Sequence, residues 1–124
     1  MKYQEFKDGR ICKTFKDDCV VRSISIALNQ SYAKTFKELM TLGMKMGAYP
    51  NHDKVWIKYL EDHGFVKNKP PRDCYGKLIK LRDWEAPGIV AVVRNSRHLT
   101  AVVDGYVVDA WDCTYRPVNS YWKK

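Results

Sequence analysis

Cys19 is the residue of this sequence best placed to act as a nucleophile. It follows Asp17 and Asp18 and begins the run CVVRSISIAL, whose apolar residues recur at three- and four-residue steps, as on one face of a helix. A helix that starts at this point places the Cys19 thiol in its first turn, where the positive end of the helix dipole lowers the pKa of a thiol. The same position also suits a buried cysteine that packs as a small apolar residue.

A base for this nucleophile is predicted near the C-terminus. His98 follows the polar stretch RNSR and opens the β-rich run HLTAVVD, so its ring should lie at the rim of a sheet. The dipeptide Asp104-Gly105 favours a tight hairpin turn, which brings Asp109 back alongside His98. An aspartate there would hold the second imidazole nitrogen and fix its tautomer. Asp112 competes with Asp109 for this role.

Two segments, DDCVVRSISIAL and RHLTAVVDGYVVDAWD, resemble the nucleophile helix and the histidine-led hairpin of small papain-like cysteine peptidases, including phage-encoded ones. The order Cys, His, Asp along the chain is similar to theirs. The resemblance implies that Cys19 attacks a carbonyl carbon, that His98 transfers the proton and that Asp109 orients the histidine. It also implies a protein or peptide substrate and a thioester intermediate, while hydrolase and transferase outcomes stay open.

The stretch before Cys19 departs from the pattern of that superfamily, because CKTFKDD lacks the glutamine that donates a hydrogen bond to the oxyanion. The Cys19 amide could supply one such bond, and Lys13, Thr14, Lys16 or a folded-back Gln4 another. Losing one donor typically costs on the order of a hundredfold in rate. The alternative function is therefore a weak or inactive papain-like fold that binds a host protein or a nucleic acid.

The elements that must position these residues are predicted from periodicity and from helix-start and helix-stop signals. A first helix should span residues 18–28 with Asp17 or Asp18 as N-cap, a second Tyr32 to Met46 between Ser31 and Gly47, and a third should start at Pro50 or Asn51 and stop at Gly64. The runs GIVAVV, HLTAVVD and YVVDAW predict antiparallel strands, whereas KLIKLRDW fits a short helix or an edge strand equally well. Helices followed by strands predict an α+β, papain-like fold.

Chain length indicates the number of domains, and net charge indicates the kind of partner. A chain of 124 residues has room for a single domain, residues 1–124, with one modest core. Its net charge of +8 raises the chance of an acidic partner such as nucleic acid. Six basic residues crowd one middle segment, which is usually a solvated face: Lys67, Lys69, Arg72, Lys77, Lys80 and Arg82.

The remaining features argue against other classes of protein. No apolar run approaches the roughly 18 residues of a membrane span and no secretion signal is visible, so a cytoplasmic location is expected, in the host if the protein is phage-encoded. The cysteines at positions 12, 19, 74 and 113 are expected to be free thiols. Their spacing relative to the histidines does not fit a zinc finger, and neither metal nor cofactor is expected.

Trp56, Tyr106 and Trp111 could shape a substrate groove, although core packing is the commoner role of such residues.

Overall fold

The computed structural model describes residues 1–6 and 17–124. Three helices pack on a mixed, mostly antiparallel six-stranded sheet, which confirms the predicted α+β class. The helices are α1 (Cys19–Ala27), α2 (Tyr32–Met46) and α3 (Asp53–Asp62). The strands are β1 (Lys2–Glu5), β2 (Val66–Asn68), β3 (Val90–Asn95), β4 (His98–Val103), β5 (Tyr106–Asp109) and β6 (Ser120–Lys123), in the order β1-β5-β4-β3-β6-β2.

The helix boundaries agree with the predicted capping signals to different extents. Helix α2 has the predicted bounds, because the Ser31 side chain accepts a hydrogen bond from the Lys34 amide at 3.1 Å and Gly47 takes the left-handed conformation that ends the helix. Helix α3 starts later than predicted, with His52 as N-cap, because the His52 amide first closes a turn onto the Tyr49 carbonyl at 3.0 Å.

Helix α1 begins at Cys19 with Asp18 in the N-cap position, yet the Asp18 carboxylate does not cap the helix. It accepts hydrogen bonds instead from the side chains of Arg22 and Tyr32. Almost the whole surface of α1 is buried, and two serines within it satisfy their hydroxyls on backbone carbonyls of the preceding turn. The helix that carries the candidate nucleophile is therefore the central helix of the protein.

Apolar side chains cover both faces of the sheet. On the helical side, Ile24, Trp56 and Leu60 pack with Leu99 and Trp122 of the strands. The opposite face packs a second cluster, whose buried members are Leu81, Trp84, Ala91, Val93, Val102, Val107, Cys113 and Val118. Since both faces are covered, the central strands β3 and β4 read as nearly continuous apolar runs in the sequence.

The three predicted strands form as expected, and the hairpin between β4 and β5 turns at Asp104 and Gly105, both with positive φ. The sheet is larger than predicted. Strand β1 joins it in parallel beside β5, and β2 and β6 extend the other edge. These three segments are short, and their pairing comes from distant parts of the chain. Within KLIKLRDW, Lys80 forms an isolated bridge to Pro117, and a short 3-10 turn follows at Leu81–Asp83.

No helix in the described part of the chain is both long enough and apolar enough to cross a membrane.

Trp122 offers a test of this packing. Its ring is 1% exposed and meets the Trp56 ring edge-on at 4.8 Å, which joins α3 to β6. We expect Trp122→Ala to lower the free energy of unfolding by about 3–5 kcal/mol, because it leaves a cavity between helices and sheet. Urea denaturation would measure this, with Tyr75→Ala as control, since Tyr75 is 85% exposed. Equal unfolding midpoints for the two variants would contradict the described core.

Candidate active site

Cys19 and His98 meet at the mouth of a cleft. Cys19 is the first residue of α1 and His98 the first residue of β4, and both line a cavity of about 490 Å³. The cleft is lined by Asp17, Cys19, Val20, Asn51, Asp53, Trp56, Arg94, Ser96, Arg97, His98 and Leu99. Cys19 is half-buried and lines this cleft. The structure thus brings together a helix-start thiol and an imidazole that are 79 positions apart in the sequence (98 − 19).

The His98 imidazole has partners on two sides. Its Nε2 donates a hydrogen bond of 2.7 Å to Oδ2 of Asp109, which is 1% exposed. The Cys19 thiol lies near this ring as well, and His98 and the Leu99 backbone both lower its pKa. Since Nε2 is held by Asp109, Nδ1 is the nitrogen left for the thiol. The three residues predicted for the site therefore lie together, with a direct hydrogen bond between His98 and Asp109.

The hairpin register explains why Asp109 reaches His98. Val103 pairs with Tyr106, and the pairing continues through Val102 with Val107 and Ala101 with Val108. One further step puts Asp109 opposite Thr100, so His98 is its diagonal neighbour on the same face of the sheet. The tight turn fixes this register.

Asp112 does not take the orienting role. Its carboxylate accepts hydrogen bonds from the Thr114 amide at 3.0 Å and from the Thr114 hydroxyl at 2.6 Å, in an exposed turn after β5. The turn that holds Asp112 on Thr114 therefore leaves Asp109 as the aspartate that contacts His98. Asp109 stands at the end of a paired strand, whereas Asp112 bonds only within its own loop.

Arg22 is a partner of Asp109 that the sequence patterns did not indicate. Its Nε and Nη2 donate to Oδ1 of Asp109 at 3.2 and 3.0 Å, and its Nη1 contacts Asp18. The Ala110 amide adds a further hydrogen bond of 2.6 Å to the same Oδ1. The sequence did contain a signal for this contact, because an arginine that is buried in an otherwise apolar helix requires a carboxylate partner.

Cys113 and Trp111 complete the surroundings of the imidazole. The buried Cys113 thiol lies 3.5 Å from Oδ2 of Asp109. The Trp111 ring packs on the His98 ring with centroids 4.7 Å apart, and it remains 38% exposed. Trp111 therefore covers the His98–Asp109 contact from the solvent side. Of the other aromatic residues predicted near the site, Trp56 lines the cleft and Tyr106 lies in a separate groove beside β1.

Burial and hydrogen bonding act in opposite directions on these groups. Burial raises the pKa of the Cys19 thiol, but its hydrogen bonds to His98 and Leu99 outweigh this and the pKa lies below its usual value. Burial disfavours charged His98, yet hydrogen bonds to Asp109, Cys113 and Cys19 raise its pKa to about 11. The pKa of Asp109 is lowered against the effect of burial, by His98, Thr100 and Arg22. The shifts of Cys19 and His98 both favour the ion pair of a thiolate and an imidazolium.

The candidate oxyanion donors divide into two groups. Lys13, Thr14 and Lys16 lie outside the described residues. Gln4 does not reach the site, because it is held in β1 opposite Val108 and faces the groove on that side. The first helical bond of α1 is donated by the Arg22 amide, so the amides of residues 19–21 have no acceptor within the helix.

One group of side chains has the composition of a metal site. The ligand atoms of His98, Asp109 and Cys113 lie within 4.8 Å of one another. A cation there would face the guanidinium of Arg22, which already occupies the same carboxylate. We therefore interpret this group as a hydrogen-bond network. Among the described cysteines, Cys19, Cys74 and Cys113 are free thiols, as predicted.

Comparison of the chain with protein-family models, with curated proteins and with solved structures finds no match.

Asp109→Asn tests the electrostatics of the site. The substitution leaves Arg22 without one of its two buried carboxylates, and we expect it to cost about 3–5 kcal/mol of unfolding free energy at neutral pH. The stabilisation from a carboxylate with a lowered pKa is present above its unfolded pKa and disappears as pH falls through the folded pKa. The difference between wild type and variant should therefore shrink below about pH 4. Urea unfolding at several pH values would show this, and a constant difference would contradict it.

Proposed function

We propose that this protein is a cysteine-nucleophile hydrolase that cleaves a peptide, isopeptide or related amide bond through a thioester. One observation carries the proposal. A single imidazole, His98, is hydrogen-bonded to a buried aspartate and lies in an open cleft beside a helix-start thiol whose pKa it lowers. A thiolate made by this arrangement is a nucleophile at neutral pH, and the neighbouring imidazolium is an acid.

In the first half of the reaction, the Cys19 thiolate attacks the carbonyl carbon and the carbonyl π electrons move to oxygen. When the tetrahedral intermediate collapses, the carbon–nitrogen bond breaks and the leaving nitrogen takes the proton of His98. The products of this half are an amine, neutral His98 and a thioester on Cys19. Asp109 keeps the ring oriented through Nε2 while Nδ1 gives up its proton.

In the second half, His98 removes a proton from water as the oxygen attacks the thioester carbon. The carbon–sulfur bond breaks, the acid is released, and Cys19 and His98 return to thiolate and imidazolium. An amine in place of water would give a new amide, so the same site supports acyl transfer when an amine is bound in the cleft.

The oxyanion requires donors at the start of α1. The free amide of Cys19 is one. Asn51, which lines the same cleft as Cys19, carries a carboxamide and is our candidate for the second. Asn51 lies in the loop before α3. It would take the role that papain-like enzymes give to a glutamine in the segment before the nucleophile helix.

The direction of substrate binding follows from the position of the acid. The leaving group must approach His98, so it lies toward Ser96 and Arg97 at the turn between β3 and β4. The acyl part then points toward α2, where a pocket of about 170 Å³ adjoins the cleft and shares Asp17, Val20 and Asn51 with it. Apart from Asp18, the remaining lining of that pocket is apolar or aromatic: Val21, Tyr32, Phe36, Met40, Tyr49 and Pro50. An apolar side chain on the acyl side fits this arrangement.

A binding protein on the same fold is the second candidate. The observation that favours it is the exposure of every basic side chain in the middle segment, from Lys67 to Arg82, on a chain of net charge +8. Nucleic acid held by such a surface would dissociate as salt rises, because phosphate contacts release counterions. That function requires neither an activated Cys19 nor a cleft at His98.

Alkylation by iodoacetamide at mildly acidic pH tests the activated thiol. We expect Cys19 to react faster than Cys12, Cys74 or Cys113, because its lowered pKa keeps it as a thiolate. His98→Ala should remove this advantage, and peptide mapping by mass spectrometry would measure each cysteine separately. His63→Ala is the matched control, since His63 lies at the end of α3 and bonds the Tyr59 carbonyl.

If all four thiols react alike, or if His98→Ala leaves the rate at Cys19 unchanged, the proposed hydrolase is wrong. Binding of nucleic acid that weakens with salt would then support the second candidate.

Asn51→Ala separates oxyanion stabilisation from thiol activation. We expect cleavage of a mixed peptide library, followed through the new amino termini, to fall by about a hundredfold, the usual effect of losing one donor. Alkylation of Cys19 forms no oxyanion, so its rate should stay at the wild-type value. Cys19→Ser gives the background of the cleavage assay. Wild-type cleavage by Asn51→Ala would assign the second donor to another residue.

A further inference from the structure

We propose that Arg22 is a positioning residue of this site, which fixes the Asp109 carboxylate so that Oδ2 faces His98, and that Asp18 holds Arg22 in place. The inference rests on the proposed function, because it assigns a role in keeping Cys19 reactive. Arg22, Asp18 and Asp109 are all buried, and their contacts join α1 to β5.

The geometry of the guanidinium gives the first argument. Two nitrogens of Arg22 donate to one oxygen of Asp109, at 3.0 and 3.2 Å, and a third nitrogen contacts Asp18. A planar fork with several donors restrains the rotation of a carboxylate in a way that a single ammonium cannot. With Oδ1 held by Arg22 and the Ala110 amide, Oδ2 is left for His98.

The sequence of charges gives the second argument. These side chains follow one another in the order Asp18, Arg22, Asp109, His98 and Cys19. Once the thiol is ionised, each neighbouring pair carries opposite charges. Removing the positive charge of Arg22 takes away one of the groups that lower the pKa of Asp109. Asp109 then takes up a proton at higher pH, and a protonated Asp109 no longer stabilises the imidazolium.

The position of Arg22 on the helix gives the third argument. It lies three residues after Cys19 and four after Asp18, so all three side chains project from the same side of the first turns of α1. Because Arg22 binds β5, it also fixes the rotation of α1 relative to the hairpin that carries His98. The nucleophile and its orienting carboxylate are therefore aligned by one side chain.

The test compares Arg22→Gln, Arg22→Lys and Asp18→Asn with wild type. The main readout is the pH profile of Cys19 alkylation, and the second is the titration of the Asp109 carboxyl by NMR. Charged and titratable groups that face Asp109 are Arg22 and Asp18 from α1, His98 from β4, Tyr3 from β1 and Cys113 from the loop after β5. Lys58→Gln is the control, because it removes an exposed ion pair of 2.7 Å between Lys58 and Asp62, which both lie on α3.

We expect Arg22→Gln to move the midpoint of the Cys19 profile upward by about one pH unit or more, which slows alkylation on the acid side about tenfold. The Asp109 titration should move upward as well. Arg22→Lys keeps the charge and loses the fork, so its profile should lie between wild type and Arg22→Gln. Asp18→Asn loosens the guanidinium but also removes a neighbouring negative charge, so its profile should move less than that of Arg22→Gln, and Lys58→Gln should leave the profile unchanged.

A purely structural role predicts a lower unfolding midpoint for Arg22→Gln with an unchanged Cys19 profile, and that result would overturn the inference. If Arg22→Gln does not fold, Arg22→Lys decides, because a wild-type profile in that variant shows that the fork is not needed. Failure of the proposed function is recognised separately, since wild-type Cys19 would then react no faster than the other thiols.

Discussion

The buried carboxylate of Asp109 is the group on which the rest of this site depends. It lies at the end of β5 and accepts hydrogen bonds from His98, Arg22, Ala110 and Cys113, which belong to different parts of the chain. A carboxylate with 1% exposure is stable only if its charge is matched and its lone pairs are used. Those requirements fix the first turn of α1 against the start of β4, which is the geometry that a thiol and an imidazole need.

The fold supplies this geometry with a small number of elements. Helix α1 packs mainly on β4, with further contacts to β3 and β5, so Cys19 and His98 lie on directly packed elements. The N-terminal strand β1 adds support from the edge, because the Phe6 amide and the Tyr3 hydroxyl both donate to the Asp109 carbonyl, at 2.8 and 3.1 Å. Backbone and side chain of the same aspartate are thus held independently.

The cleft itself imposes little selection by charge. Asp17 and Asp53 face Arg94 and Arg97 across it, and Arg94 is already paired with Asp53 at 2.7 Å while its guanidinium lies over the Trp56 ring. For the proposed function, discrimination between substrates would come from shape and apolar contact, and the apolar pocket beside Val20 is where such contact is available. This arrangement suits a peptide or acyl group better than a phosphate, which requires a concentration of positive charge.

The grouping of Cys19 with His98 was expected only from the resemblance to papain-like peptidases. The sequence by itself determined the α+β class, the bounds of α2, the β4–β5 hairpin and the closeness of His98 and Asp109. These follow from local rules, since helix periodicity, caps and a two-residue turn act over a few neighbouring residues. The strands β1, β2 and β6 could not be predicted in this way, because each is short and is defined only by partners far along the chain. The sequence predicted the N-cap position of Asp18. It did not show that the carboxylate accepts hydrogen bonds from Arg22 and Tyr32 instead of capping the helix. Only the tertiary structure decided that Arg22 binds Asp109 and that Gln4 stays away from Cys19, since ion pairs and cleft linings depend on how distant elements pack.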